Sequence, residues 1–432
     1  MKTIIYQVIT RLWGQGRFSS WNKSSLSYLR TLGVDYVWYT GVPRHASGKD
    51  FVKGNPGSPY SISDWYDVNP YLADKPERRM EEFESLVSRT HEAGLKLLLD
   101  FIPNHTAPDY VGGISHYDWH DGDWTDTLKN DWTDGRTEQE LLKVLRFWAA
   151  KGVDGFRCDM VELVPQDALA RMIAAVKKDY PSLIFVAEAY NMDNYRTYVE
   201  KVGFDLLYDK SGLYDTLRAI DSRNLSAKNI TSNWLRLSDL QPRMLNFLEN
   251  HDEQRIASPW YDGCPQKAYA ALTVAMLFNT ASFMLYFGQE VGENASEGHE
   301  GRTSIFEWAR PEAIGQLYNH AHSRRKLPSP YAEVLAKYRS LLKLAKEDVF
   351  ASGKTWDLCY CNMVSPGFDP DRHFVFARYD DNKAYVVACN FSDYPARMSV
   401  NIPAELYPYF PQHSFELSVP AWDSTILELP GK

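Results

Sequence analysis

Cysteine is scarce in this chain of 432 residues. The five present (Cys158, Cys264, Cys359, Cys361 and Cys389) are odd in number and spaced neither as a disulfide framework nor as a zinc knuckle. A reduced, cytoplasmic setting is the expectation. The opening residues, Met1-Lys2-Thr3-Ile4-Ile5-Tyr6-Gln7-Val8, run directly into strand-like alternation and lack the cleavage site of a secretion signal. No apolar run approaches the roughly 20 residues of a membrane span. Positive charge is also lacking: 47 Lys and Arg against 56 Asp and Glu leave a net charge of −9. Phosphate-rich partners need a cationic face, so neither nucleic acid nor a membrane is an expected partner. A neutral ligand suits this balance. Internal repeats and low-complexity segments are missing too.

What is present is a large, ordinary globular composition, with 44% hydrophobic and 24% charged residues. Strand-like and helix-like stretches alternate to about residue 345. The strand-like ones are Ile4 to Ile9, Tyr36 to Tyr39, Leu97 to Ile102, Gly155 to Asp159, Ile184 to Glu188, Phe204 to Tyr208, Met244 to Leu248 and Ser282 to Phe287. Leu97-Leu98-Leu99 is apolar on both faces, as a buried parallel strand is. Between strands, Met80, Phe83, Leu86, Val87 and His91 share a helical face that Gly94 ends. Thr137 and Glu140 have the spacing of a capping box. Eight such units predict an α/β fold, a (β/α)₈ TIM barrel over residues 1–345, with a short insertion after strand three at 106–136. Beyond 350 the pattern changes to alternating runs such as His373-Phe374-Val375-Phe376-Ala377-Arg378-Tyr379, broken at Asp380-Asp381-Asn382. That predicts a C-terminal antiparallel β-sandwich domain over 350–432.

Barrel enzymes carry their chemistry at the C-terminal ends of the strands. Here those ends read Asp100-Phe101-Ile102-Pro103-Asn104-His105, Arg157-Cys158-Asp159, Val186-Ala187-Glu188 and Glu249-Asn250-His251-Asp252. Arg157 and Asp159 are two apart and point to one face, with Cys158 pointing away. The guanidinium favours an ionised Asp159. Glu188, preceded by Val186 and Ala187, is expected in apolar company, where lost solvation raises its pKa and suits a general acid. Taken singly, each of these residues reads as an ordinary ion pair or loop carboxylate. Their convergence on one mouth of one barrel gives them weight. One charged and one protonated carboxylate is what glycoside cleavage with retention requires.

These four segments, in order and at the right strand ends, resemble the signature regions of the α-amylase family. Tyr60 with Asp64, and Tyr286-Phe287-Gly288-Gln289-Glu290 at strand eight, add to the likeness. The resemblance implies Asp159 as nucleophile, Glu188 as acid/base and Asp252 as the carboxylate that orients sugar hydroxyls. It also implies substrate contacts from Tyr60, His105, Arg157 and His251, with Asp100 in support. In many members the residue matching Asn104 binds structural calcium. Here Met160-Val161-Glu162-Leu163 lacks the Lys-His pair common in calcium-dependent amylases, and Glu162 puts a charge near the leaving-group sugar. Asp126 and Asp131 offer oxygens, which calcium prefers, but nothing fixes them. No cofactor is therefore expected to be required, calcium is disfavoured, and metal ligands stay unassigned. The implied activity is a retaining α-glucoside hydrolase acting on malto-oligosaccharides or starch-derived α-glucans, with α-1,4 bonds favoured. A glycosyltransferase or isomerase of the same family is the alternative. A non-catalytic carbohydrate-binding barrel fits poorly, because all three carboxylates are kept.

Overall fold

The computed structural model describes residues 2–430; Met1, Gly431 and Lys432, at the outer ends of the two expected domains, lie outside it. Eight parallel strands form a closed barrel: β1 (Ile4–Ile9), β2 (Tyr36–Thr40), β3 (Lys96–Phe101), β4 (Gly155–Cys158), β5 (Ile184–Ala187), β6 (Leu206–Tyr208), β7 (Met244–Asn246) and β8 (Ser282–Tyr286). Each pairs with its neighbour in sequence, and β1 closes on β8. The later strands are shorter than the sequence pattern predicts, since β6 starts at Leu206 and β7 stops at Asn246.

Strand alternation sorts the side chains into two cores. Ile5, Trp38, Leu98, Val186, Leu245 and Met284 fill the barrel interior, while Tyr6, Val37, Leu97, Phe185 and Leu285 pack outward against the helices. Gly155 opens β4 because a Cβ there would meet the Ile184 carbonyl oxygen at 2.3 Å. Its bare backbone lets β4 and β5 lie flush at the site that matters below. On the helix Arg79–Glu92, Phe83, Leu86, Val87 and Thr90 are buried, whereas His91 lies at the edge and bonds Asp154 at 2.8 Å. Among the described residues, no helix is long and apolar enough to cross a membrane.

The capping box does not form. The helix starts at Arg136 with Gly135 as its N-cap, and the Asp134 carboxylate accepts from the Arg136 N–H at 3.0 Å. Thr137 instead donates to the Asp131 carbonyl, and Glu140 accepts from the Tyr66 hydroxyl at 2.9 Å. Tertiary partners outcompeted the local pairing.

After the helix Ser329–Ala345 the chain turns all-β. Strands β9 (Lys354–Asp357), β10 (His373–Tyr379), β11 (Lys383–Asn390) and β14 (Ser424–Pro430) form one antiparallel sheet, and β12 (Ala396–Asn401) pairs with β13 (Ser414–Val419) in a second. Asp380 shapes the β10–β11 turn by accepting from the Asn382 and Lys383 N–H groups at 2.7 and 2.9 Å. All seven residues of β10 are buried, because both its faces are covered. Arg378 is fully buried there and donates to the carbonyls of Leu277, Val349 and Gly353 at 3.1, 2.7 and 3.0 Å, fastening the sheet to the barrel.

Glu290, just past β8, is fully buried and accepts from the hydroxyls of Tyr6 (2.8 Å) and Tyr28 (3.3 Å). Burial pushes its carboxyl up to about 7. The folded state therefore keeps a proton that the unfolded chain releases near pH 4.3. Stability from this group is present at low pH, falls as pH rises through that window and is flat above about 7, a loss on the order of 3 kcal/mol. Glu290→Gln keeps both hydroxyl bonds and removes the titration. Its melting temperature should fall less between pH 5 and pH 8 than that of the unsubstituted protein. Identical pH dependence in the two proteins would refute the assignment.

Candidate active site

A cavity of about 300 Å³ opens at the C-terminal end of the barrel, and Tyr60, His105, Asp159, Glu188, His251 and Asp252 all line it. A larger groove of about 880 Å³ lies beside Tyr71, Trp308 and Arg310. It contains no carboxylate pair, so chemistry and not size singles out the smaller cavity.

Register places the central groups. Arg157 pairs with Asp100 on β3 and with Val186 on β5, and Cys158 pairs with Ala187. One step further, Asp159 and Glu188 follow these paired residues side by side, anchored by their N–H groups to the carbonyls of Phe101 (2.9 Å) and Cys158 (3.0 Å). Cys158 faces the outer core, as the alternation requires. Arg157 is fully buried, with its guanidinium over the rings of Trp38, Tyr60 and Tyr208 at 5.3–5.6 Å. One nitrogen donates to Asp159 at 2.5 Å, and the other lies 2.8 Å from Glu188 as an ion pair without hydrogen-bond alignment.

The expected apolar company of Glu188 is wrong. Val186 and Ala187 lie along the strand, but the carboxylate itself meets polar groups beyond it. Tyr190 donates its hydroxyl at 2.6 Å and Met160 its backbone N–H at 2.8 Å, alongside Arg157. Burial nonetheless dominates and raises the Glu188 pKa, opposed by Arg157 and helped by Asp159. To aim its N–H, Met160 adopts the left-handed conformation (φ 43°, ψ 47°), which costs a non-glycine residue about 1–2 kcal/mol. Neither Tyr190 nor Met160 had a sequence signal beyond adjacency to the carboxylates.

The histidines are neutral. Burial holds His251 well below its usual value and lowers His105 to about 4. The Gln7 amide donates to His251 Nδ1 at 2.8 Å, which leaves Nε2–H for the Tyr60 oxygen at 2.6 Å. Tyr60 in turn donates to Asp100 at 3.3 Å. Burial pushes Asp100 up to about 7, so its place is support behind Tyr60. Burial and the Glu188 charge push Asp252 up to about 8. Because 43% of its side chain is open to the cavity, water screens part of that rise.

Other expectations sort differently. Glu162 does not line the cavity; its carboxylate accepts from the Asn191 N–H at 2.8 Å and staples two loops. Glu249 turns away to Arg255 (2.9 Å) and Glu290 to the two tyrosines. Trp124, from the insertion, does line the cavity, with its ring 5.2 Å from that of His105. Nothing in the sequence set it apart from Trp119, which is 46% exposed. Lys53 reaches across the rim to the Asp123 carbonyl at 2.5 Å. Beyond it, a chamber of about 430 Å³ shares the walls at Trp124 and Asp252.

A closed parallel barrel with clustered carboxylates at its C-terminal mouth defines a barrel of the carbohydrate-hydrolase type. Sequence comparison makes this specific. The family profile described as "Alpha amylase, catalytic domain" matches residues 23–127 and 119–327, and the chain belongs to that family. Alpha-amylase MalA of Haloarcula japonica is 26% identical over 431 residues, covering 93% of this chain and 57% of the relative. Alpha-amylase 3 of Dictyoglomus thermophilum is 22% identical, covering 66% of this chain and 62% of the relative. The chain thus spans about three-fifths of the length of these relatives. The crystal structure of maltogenic alpha-amylase AmyB from Thermotoga neapolitana shares the fold, with a TM-score of 0.73 at 21% identity over 99% of this chain and 96% of that one.

Proposed function

We propose that this protein is a retaining α-glucoside hydrolase acting on malto-oligosaccharides or starch-derived α-glucans, with α-1,4 bonds favoured. The observation that carries the reading is the single buried guanidinium of Arg157 touching both Asp159 and Glu188 on adjacent strands, at the floor of one cavity. Neighbouring strands lie about 4.8 Å apart, which suits the roughly 5–5.5 Å carboxyl separation of retaining enzymes.

In the first step an Asp159 oxygen attacks the anomeric carbon, the glycosidic bond breaks, and Glu188 gives its proton to the departing oxygen. In the second, Glu188 takes a proton from water as that water attacks the same carbon and frees Asp159. Two inversions give retention. Asp252 and His105 hold hydroxyls of the reacting sugar, and His251 joins them by turning its Nε2–H from the Tyr60 oxygen to the sugar. With Glu188 protonated, the charge that helps raise Asp252 is gone. Asp252, ionised in that state, offsets the positive charge that grows on the ring, against which Tyr60 packs. The cavity sits at the low end of the 300–1,000 Å³ usual for ligand sites, which favours short chains over polymer.

Proton NMR of maltotriose hydrolysis tests this. The α-anomer should appear first and equilibrate slowly to the β form; β-anomer first would end the retaining mechanism. The same spectra at high maltotriose concentration expose transfer, since longer oligosaccharides would accumulate.

A further inference from the structure

Lys129 enters the barrel rim from the insertion, and its ammonium group meets oxygens from three separate segments. These are the Asn104 side-chain carbonyl at the end of β3, the Asp121 carboxylate at 2.9 Å within the insertion, and the Leu163 backbone carbonyl at 3.3 Å after β4. The backbone of Lys129 is pinned as well: it pairs with His105, donates to Trp119 and accepts from Tyr117, both at 2.9 Å. Its side chain is 12% exposed, with the Trp119 ring 5.9 Å away.

We infer that the Lys129 ammonium is the built-in structural cation of this rim, fixing the insertion to the ends of β3 and β4, and that the chain takes no calcium at Asn104. Position and charge both argue for this. The ammonium itself occupies the space among the Asn104, Asp121 and Leu163 oxygens from which an ion would have to coordinate them. The ammonium already balances Asp121, so a divalent ion beside it would face a cation and a carboxylate that is already paired. Among the described residues no three Asp, Glu, His or Cys side chains come together to hold a metal ion. Asp131 accepts from Thr133 at 2.8 Å, and Asp126 lines the catalytic cavity with one oxygen unpartnered. The ammonium also sets the Asn104 amide. With its oxygen turned to Lys129, the nitrogen donates to Asp121 at 2.8 Å and contacts His105 Nδ1 at 3.2 Å. Burial tends to raise the Asp121 pKa, but the Asn104 and Lys129 donors outweigh it and hold the carboxyl below its ordinary value.

Elemental analysis and thermal unfolding of the unsubstituted protein test the second half. After equilibration with calcium and buffer exchange, the protein should carry far less than one calcium per chain and melt at the same temperature in EDTA and in calcium. Stoichiometric calcium, or a melting temperature that falls in EDTA, overturns the inference. Lys129→Met tests the first half. It keeps most of the volume but leaves the oxygens without their cation, so the melting temperature should drop by about 5 °C and amide exchange should speed up in 117–131. A Lys129→Met protein as stable and as protected as the parent also overturns it. If that variant does not fold, Asp121→Asn is read in its place: a smaller drop is expected, and an unchanged melting temperature counts against the inference.

Discussion

Asp159→Asn is expected to lower kcat on oligosaccharides by about 10⁴-fold or more while oligosaccharide binding and the fold persist. The amide keeps the shape of the carboxylate and one acceptor for the Arg157 nitrogen now 2.5 Å away. What it loses is the negative oxygen that attacks the anomeric carbon. A second loss compounds the first. The Asp159 charge helps raise the Glu188 pKa, so without it Glu188 ionises more readily and offers fewer protons at neutral pH. The fold should survive because Arg157 still has Glu188 beside it at 2.8 Å and the rings of Trp38, Tyr60 and Tyr208 around it. Calorimetric titration with maltotriose, a melting curve and a rate measurement on maltoheptaose together check this. Turnover within tenfold of the parent, in a folded and binding-competent variant, removes Asp159 from the nucleophile's place.

The barrel was legible because its determinants are local and repeated. Leu97-Leu98-Leu99 and Ile184-Phe185-Val186 read as buried parallel strands, and alternation across Arg157-Cys158-Asp159 fixes which side chains enter the cavity. The site was legible for the same reason, since its main groups sit at or just beyond strand ends. What sequence could not show are contacts between segments far apart in the chain. Gln7 sets the His251 tautomer across 244 positions, and Met160 reaches Glu188 only through an unusual backbone conformation. Thr137 and Glu140 carry every local mark of a helix cap, yet Asp131 and Tyr66 offered them better partners. The insertion was least readable. Its aromatics look alike in sequence, but Trp124 faces the cavity while Trp119 covers Lys129.

Glu188→Gln should separate substrates by their leaving groups. Three donors crowd this carboxylate, from Tyr190, Met160 and Arg157. A backbone N–H and a guanidinium can only donate, whereas a hydroxyl can turn and accept. The proton of the acid form is best held on the oxygen facing Tyr190, where the 2.6 Å bond can reverse its direction. The guanidinium 2.8 Å from that same oxygen is not aligned to donate to it, whereas the Met160 N–H is aligned on the other. Glutamine cannot reproduce this. Its NH₂ carries no transferable proton and must face at least one of the donors, which adds a modest cost in stability. For maltotriose, whose leaving alcohol needs protonation, the variant should lose about 10²–10⁴-fold in kcat/KM. For an α-glucosyl substrate with a 4-nitrophenolate leaving group, the first step should be far less affected. The second step still lacks its base, so a burst of one nitrophenolate per active site should precede slow turnover. Added azide, which needs no deprotonation, should restore the steady rate and yield a glycosyl azide. Equal losses on both substrates, with no burst and no azide effect, would mean that Glu188 holds the site together without moving a proton.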